Sequence, residues 1–380
     1  MHVTHHTIQR LFRIRSELQE VYWNLLIQTF AKSLIAIFIP IYLLTIGFTL
    51  QSVLIFALLF YSTLGVFSLF SAYLSVRWGF KHQIVYHIPL FTIFYMTLVC
   101  MQFIPNSFLL LAITGIIGGI SSAMYWVPLN SEFVKNTKKI HEGEEVAMVV
   151  AIPKLATILA PTAAAVILTL FGFFPLFVLV ILIFLLSLIP LFATSDYKPK
   201  FTLTQEKRLL VMNKRLAPHL FLRGILYVSE FFLWPIFIFL TLHDFLDVGM
   251  AASAAAVGIA FFTYITGKLT DKGHRETVKK IGGVAYCVVW ILRMFASTQM
   301  EILLLSFMGG MVASLIEVTV FSSFCDRARG KKVLNWVVSR EVLLAVGRIL
   351  MIILLLLVLG LDIRASFAIA SVASILFLFI

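Results

Sequence analysis

The chain has 380 residues, 61% of them hydrophobic and 13% charged, and its mean hydropathy is +1.01. Soluble domains are roughly 45–50% apolar and about 25% charged, so this composition excludes an ordinary soluble protein. The net charge of +12 could suggest a nucleic-acid partner, but the cations recur in every second loop instead of forming one basic surface, which excludes that reading.

The first element is a short basic segment, residues 1–20, in which apolar residues alternate with Arg10, Arg13 and Arg15. It lacks the hydrophobic core and the cleavage site of a signal peptide. We expect an amphipathic helix on the inner membrane leaflet.

Twelve apolar stretches follow, and we number them span 1 to span 12. Each is near the ~20 residues that a helix needs to cross a bilayer. They predict an all-α membrane protein with two six-helix bundles, 21–193 (the first half) and 217–380 (the second half), joined by a basic loop at 194–216. The predicted spans are 21–46, 51–75, 82–104, 107–130, 146–170, 174–193, 217–242, 249–268, 280–298, 300–323, 335–360 and 364–380.

Most of the 30 Lys and Arg residues lie in the N-terminal segment and in alternate loops. The intervening loops of the sequence hold acidic residues and a single cation, Arg364. Because cytoplasmic loops carry the excess of cations, this pattern predicts a multi-pass protein of the cell (inner) membrane with both termini in the cytoplasm.

The two halves repeat each other. Pro40-Ile-Tyr-Leu in span 1 corresponds to Pro235-Ile-Phe-Ile in span 7, and the stretch from Ala72 to Arg77 corresponds to that from Gly267 to Lys272. Membrane proteins with two similar halves commonly bind a solute near the bilayer midplane, where the halves meet. The repeat therefore favours a transporter.

Ionisable side chains inside the spans are the candidates for substrate binding or ion coupling, because each costs roughly 2.5–3.5 kcal/mol on insertion scales. Glu317 is the first candidate for reversible protonation and Glu230 the second, with Arg223 two helical turns before Glu230 as its expected ion partner. The candidates for the substrate cavity and for coupling are Lys32, Lys154, Arg223, Glu230, Trp234, Glu317 and Arg348.

Other readings of these charges stay open. Opposite charges can neutralise each other permanently and fix helix register, which applies to Arg340, Glu341 and Arg348 as readily as function does. Lys32 together with Lys154 would favour a negatively charged substrate. Arg293 is expected to extend outward to the membrane surface. His87 is expected to be a hydrogen-bonded core residue in preference to a proton carrier.

The twelve spans, the basic central loop and the turn Gly267-x-x-x-Asp271-Lys272 after span 8 resemble the major facilitator superfamily over essentially the whole chain. That family carries the turn after spans 2 and 8 as a latch that stabilises one of two alternating states. The resemblance implies latch residues Arg77 and Gly79 in the first copy, and Gly267, Asp271 and Lys272 in the second. It also implies that spans 1, 4, 7 and 10 line a central cavity.

Span 5 has the spacing of a motif found in proton-driven exporters of that family, with alanine in place of each glycine. The residues are Ala156, Ala160, Pro161, Ala164 and Ala165. Small residues on one face allow close helix packing, and proline allows a bend. The resemblance therefore implies a packing motif that controls leakage between the halves, and it favours export.

These features predict a secondary transporter that moves a small organic solute by alternating access, driven by protons and working as a monomer in the bilayer, without cofactor or metal. A uniporter, an importer of an anionic solute, and a non-transporting sensor or scaffold are the alternatives. A membrane-embedded enzyme is disfavoured because the sequence offers no convincing pair of His or Asp at an interface, and no phosphate-binding loop for ATP appears.

Overall fold

A computed structural model of the chain describes residues 17–104, 107–136, 144–192, 214–271, 274–328, 333–358 and 363–380. These residues are helical apart from short connections, and no β-strand occurs among them. Residues 1–16 of the basic N-terminal segment and almost all of the 194–216 loop lie outside this description, so the predictions made for them, including the domain boundaries, stay predictions. The last four residues of the segment, 17–20, already belong to the helix of span 1.

A helix coincides with each of the twelve predicted spans. Spans 1 to 6 are Glu17–Ile35 with Ile39–Thr45, Leu50–Trp78, Phe80–Cys100, Phe108–Asn136, Glu144–Phe171, and Phe173–Leu186 with Ile189–Phe192. Spans 7 to 12 are Ala217–Val228 with Ser229–Leu233 and Trp234–Leu242, Phe245–Asp271, Arg275–Arg293, Gln299–Ala328, Val333–Val358, and Ile363–Ala365 with Ser366–Ile375 and Leu376–Leu378.

Nine of the helices in the described ranges are long and apolar enough to cross a membrane. Span 9 is not among them because five charged residues fall within its 19 residues: Arg275, Glu276, Lys279, Lys280 and Arg293. The predicted bounds of span 9, 280–298, are also wrong. The helix begins earlier, at Arg275, because a polar first turn extends it, and it ends earlier, at Arg293, because a turn follows.

The repeated prolines interrupt the same part of each half. Span 1 breaks between Ile35 and Ile39, just before Pro40. In span 7 the five residues before Trp234 form a π-helix, Ser229–Leu233, next to Pro235. Proline has no backbone N–H and its ring collides with the preceding turn, which favours an interruption at these two positions. Pro89 and Pro128, by contrast, lie inside unbroken helices.

Glycines at positive φ make two of the shortest connections. Gly79 (φ +93°) alone separates span 2 from span 3, and Gly172 (φ +80°) alone separates span 5 from span 6. A side chain at either position would be strained, because L-residues rarely adopt this conformation. Consecutive spans joined in this way pack as antiparallel neighbours.

The packing follows the internal repeat. Within the first half span 2 packs along span 4, and within the second half span 8 packs along span 10. Glycines let these backbones approach: a Cβ on Gly119 would lie 2.4 Å from the carbonyl oxygen of Phe60, and one on Gly310 would lie 2.0 Å from that of Ala255. Between the halves, span 5 packs on span 8 and span 2 on span 11, which is the same pair of contacts exchanged by the repeat.

Candidate functional site

A buried ion pair joins spans 7 and 9. Glu230 accepts hydrogen bonds from Arg293 Nη1 at 2.7 Å, from Arg293 Nη2 at 3.0 Å and from the Tyr286 hydroxyl at 2.6 Å. The side chains of Glu230 and Arg293 are 7% and 0% exposed. Both carboxylate oxygens are therefore occupied by charge-assisted or hydroxyl hydrogen bonds, and the pair is shielded from solvent.

The expectation that Arg293 extends outward was wrong. Its guanidinium carbon lies 4.4 Å from the ring centroids of both Trp234 and Trp290. Span 10 makes room for it at Gly309, where a Cβ would lie 2.1 Å from Nη2. The side chain turns inward because Glu230 and two indole faces replace its hydration.

Trp234 was expected to face the substrate cavity, but in this structure it is a core residue. It is 3% exposed, and its indole N–H donates to Ser306 Oγ at 2.9 Å. Its ring stacks on Phe237, with centroids 5.3 Å apart. Trp234 therefore supports the Arg293 side chain in place of facing open space.

Arg223 pairs with a different carboxylate from the one expected. Its Nε donates to Oε2 of Glu317, which connects spans 7 and 10. The Arg223 side chain is 13% exposed, whereas that of Glu317 is 44% exposed. The carboxylate of Glu317 is thus partly exposed, whereas that of Glu230 is enclosed by protein.

Arg348 lies at the contact between the halves. Its guanidinium carbon is 5.1 Å from the ring centroid of Tyr61 in span 2 and 4.4 Å from that of Tyr227 in span 7. It is 8% exposed, and its Nε has no hydrogen-bond partner among the described residues. No carboxylate pairs with it there either, so the aromatic faces are what stabilises this cation.

Glu341 connects the two halves through polar contacts. The sequence left open whether its charge functions in transport or only fixes helix register. Glu341 pairs with Arg340, Nη1 to Oε1 at 2.5 Å, and it accepts a hydrogen bond from Asn130 Nδ2 of span 4 at 3.2 Å. Its side chain is 4% exposed. The charge of Glu341 is therefore compensated locally, and the expectation that it serves register is the one that this geometry favours.

Lys32 points into a group of aromatic rings in the first half. Its Nζ lies 3.3 Å from the ring centroid of Tyr125, 5.2 Å from that of Trp126 and 5.5 Å from that of Phe91. Within the described ranges Lys32 has no carboxylate partner. Lys154, its predicted companion, is helical, but its side chain lies outside the described part of the structure.

A chain of buried hydrogen bonds lies beside Lys32. It confirms that His87 is a hydrogen-bonded core residue, whereas its other members were not predicted. Asn24 Nδ2 donates to the carbonyl oxygen of Ser187 at 2.7 Å, and Gln28 Nε2 donates to Asn24 Oδ1 at 3.3 Å. Gln28 Oε1 lies 3.2 Å from His87 Nε2, and His87 Nδ1 lies 2.8 Å from Ser121 Oγ. The available signal was the spacing of Asn24, Gln28 and Lys32, four residues apart on one helix face.

The small-residue motif of span 5 lies where the halves meet. Ala160, Ala164 and Ala165 are fully buried. A Cβ on Gly249 of span 8 would lie 2.6 Å from both Ala165 Cβ and the carbonyl oxygen of Pro161. The Ala156 side chain is outside the described part. A hydroxyl contact reinforces this contact surface, Thr162 Oγ1 to Ser253 Oγ at 2.7 Å.

The loop residues expected to form a latch differ in their surroundings. Gly79 is buried and its N–H donates to the carbonyl oxygen of Ser75 at 3.0 Å, while Arg77 is exposed. Gly267 does not support a close helix contact, since a Cβ there would meet nothing within 4 Å. Asp271 ends span 8, but its side chain and all of Lys272 lie outside the description, so the latch stays a prediction.

The family model described as Major Facilitator Superfamily matches residues 21–242, more than half of the chain. The chain belongs to the major facilitator superfamily. Comparison with curated proteins gives no match.

Solved structures show the same fold over nearly the whole chain. The human organic anion transporter MFSD10 has a TM-score of 0.65 at 12% identity, covering 95% of this chain and 97% of its own. The E. coli fucose:proton symporter FucP has a TM-score of 0.65 at 12% identity, with 95% and 96% covered. The nucleoside transporter NupG has a TM-score of 0.70 at 13% identity, with 96% and 98% covered. At these identities the likeness shows the fold alone.

Membership of the superfamily makes the chain a transporter by family, not an enzyme. Within it, the charged side chains divide into two groups. The carboxylates of Glu230, Glu341 and Glu317 are all ion-paired, and that of Glu317 is the exposed one. Lys32 and Arg348 rest on aromatic rings without a described carboxylate partner.

Proposed function

We propose that this protein is a secondary transporter that moves a small organic solute by rocking its two halves, and that proton binding drives the cycle. The observation that supports coupling most directly is the Arg223–Glu317 pair. It joins two spans expected to line the cavity, and its carboxylate is 44% exposed. Carboxylates inside membrane proteins commonly serve as proton or coupling-ion sites.

The pair can act as a switch through its charge. When Glu317 is ionised it holds Arg223, and spans 7 and 10 are tied together. Protonation removes the negative charge, which leaves the arginine free to interact with a substrate group or with water. Proton binding would therefore change how two cavity-lining helices are connected.

Glu230 has a different proposed role. Three donors surround its carboxylate, and Arg293 opposite it is fully buried. Protonating Glu230 would leave a buried guanidinium without its counter-ion, which is strongly unfavourable. We assign this pair to the stability of the second half.

Export is the direction we propose to test first. Its support is the exporter-like spacing in span 5, where Pro161 and Ala165 pack against Gly249 of span 8 at the contact between the halves. Close packing there would prevent solute from leaking past the substrate site. We further propose that the protein lies in the cell membrane with both termini in the cytoplasm, which the alternation of basic loops supports. We propose a monomer as the working unit.

The second candidate is uniport or import of an anionic solute. It is supported by Lys32 and Arg348, two cations inside the bundle whose described neighbours are aromatic rings. A carboxylate or phosphate group could accept a hydrogen bond from Nε of Arg348, which has no partner among the described residues. The third candidate, a sensor without transport, predicts a plugged cavity and fully paired carboxylates. Glu230, Glu317 and Glu341 are each ion-paired, which is compatible with it, so the transport assay must separate a sensor from a transporter.

The test uses purified protein in liposomes that enclose a pH-sensitive dye, with a library of neutral, cationic and anionic solutes. We expect one solute class to move protons, and Glu317→Gln to abolish that movement. The matched control is Glu301→Gln in the same span, whose carboxylate accepts hydrogen bonds at the helix start. Movement of a labelled solute without protons would identify a uniporter, and movement of no solute would favour the sensor.

A further inference from the structure

The donors and acceptors of the buried chain beside Lys32 have a fixed direction. A backbone carbonyl only accepts hydrogen bonds, so Asn24 must present its Nδ2 to the oxygen of Ser187. Asn24 Oδ1 then accepts from Gln28, which turns Gln28 Oε1 toward His87. Because an amide oxygen cannot donate, the Nε2 of His87 must carry a hydrogen.

The other ring nitrogen of His87 can exist with or without a proton. Nδ1 lies 2.8 Å from Ser121 Oγ and 2.9 Å from the carbonyl oxygen of Ser121, and Ser121 Oγ lies 3.1 Å from the carbonyl oxygen of His87. In the neutral ring, the Ser121 hydroxyl donates to Nδ1. In the protonated ring, Nδ1–H donates to Ser121, and the hydroxyl hydrogen turns to the carbonyl of His87. Rotation of one hydroxyl therefore gives Nδ1 a partner in either state, and the carbonyl oxygen of Ser121 accepts a hydrogen bond only from the protonated ring.

A positive charge lies next to this site. The imidazole centroid is 4.8 Å from that of Tyr125, and the ammonium of Lys32 lies 3.3 Å from the same Tyr125 ring. In the described ranges Lys32 is the charged group that acts on His87, Tyr125 is the titratable ring that span 4 places against it, and span 6 contributes the uncharged ring of Phe184. An imidazolium and an ammonium so placed repel each other.

We infer that His87 is a proton-binding site of the first half, in which a proton taken up at Nδ1 drives the Lys32 ammonium away from Tyr125 and Trp126. The site lies on spans 1, 3 and 4, apart from the Arg223–Glu317 pair on spans 7 and 10. The proton-binding site stands on its own geometry, whereas a part in driving transport rests on the proposed function. Each half would then contain one proposed proton-binding site, His87 in the first half and Glu317 in the second.

The test follows the nine histidines of the full-length protein in lipid nanodiscs by ring ¹⁵N NMR over the pH range in which the protein stays folded. His87→Gln identifies the His87 signals, and His82→Gln, an exposed position in the same helix, is the matched control that must leave them in place. We expect His87 to change from the neutral ring with hydrogen on Nε2 to the doubly protonated ring as the pH falls.

Two variants that keep His87 give the sign of the effect. Lys32→Gln removes the repelling charge, so the midpoint should rise by about one pH unit or more. Ser121→Ala removes the donor that only the neutral ring uses but keeps the carbonyl that the charged ring uses, so the midpoint should rise again. These variants do not depend on whether His87→Gln folds.

Trp126 provides a second readout, because the Lys32 ammonium lies 5.2 Å from its ring. Its fluorescence should change with the same midpoint, and Trp126→Phe should remove the change. A His87 signal that does not titrate in the unaltered protein, or a midpoint that Lys32→Gln and Ser121→Ala leave unchanged, overturns the inference. Glu317→Gln should leave this titration intact, so failure of the histidine site and failure of coupled transport give different results.

Discussion

At the scale of single residues, the charges inside the bundle differ in how they are stabilised. Glu230 and Arg293 neutralise each other through two hydrogen bonds in a closed space. Lys32 and Arg348 rest on aromatic faces, where a cation is held less tightly than by a carboxylate. Groups of the second kind can change partners during a transport cycle at lower cost.

Removing Arg293 tests the structural role of its ion pair. Arg293→Met leaves Glu230 charged and unpaired, so we expect a loss of about 3–5 kcal/mol in the free energy of unfolding. Adding Glu230→Gln should restore most of the stability, because no buried charge remains. The measurement is thermal unfolding in detergent. Arg275→Gln, which breaks the exposed pair with Asp326, is the control and should cost less than about 1 kcal/mol. An equal loss of stability in Arg293→Met and Arg275→Gln would contradict the structural role of the Glu230–Arg293 pair.

At the scale of elements, glycines decide which helices touch. Gly224 of span 7 and Gly347 of span 11 face each other so closely that a Cβ on Gly224 would lie 2.3 Å from the carbonyl oxygen of Leu344. A Cβ added to Gly267 of span 8 would instead meet no atom within 4 Å. The same residue type thus has a packing role in one helix and none in another, which the sequence does not distinguish.

Alanine substitution separates these two cases. Gly224→Ala forces spans 7 and 11 apart, so we expect a clear drop in the yield of folded protein and in its melting temperature. Gly267→Ala should be tolerated, and should stabilise span 8 by up to about 1 kcal/mol, because alanine favours a helix over glycine. Thermal stability followed by size-exclusion chromatography measures both. Similar destabilisation by the two variants would show that Gly267 has a contact absent from this conformation.

At the scale of the whole molecule, the contact between spans 5 and 8 connects the two halves. Small residues on both helices and the contact of Thr162 with Ser253 bring the backbones together. If the halves rock during transport, this contact must change. A bond that prevents the change should stop the cycle without disturbing either half.

A disulfide at this position tests alternating access. In a background where Cys100, Cys287 and Cys325 are replaced by serine, Thr162→Cys with Ser253→Cys should cross-link on oxidation, because the two hydroxyl oxygens are 2.7 Å apart. We expect oxidised protein to lose solute movement in the liposome assay and reduced protein to recover it. Each single cysteine variant is the control. Undiminished transport by fully cross-linked protein would rule out rocking at this contact.

The sequence by itself determined the number and approximate position of the spans, the two-fold repeat, and the family. These follow from local properties, since about 20 apolar residues cross a bilayer as a helix whatever their neighbours are. Glu317 was also a candidate for proton coupling, because it is a carboxylate in an apolar stretch. The structure adds that this carboxylate is partly exposed.

Only the tertiary structure decided which charges pair. Arg223 lies on the same helix as Glu230, yet it contacts Glu317, 94 residues away, while Glu230 contacts Arg293, 63 residues away. The structure also shows that His87 belongs to a hydrogen-bond chain with Asn24, Gln28 and Ser121 on other helices. A side chain in a membrane helix takes its partner from whichever helix packs beside it, and the rotation of that helix is set by close contacts such as Gly224 with Gly347, which no local pattern encodes.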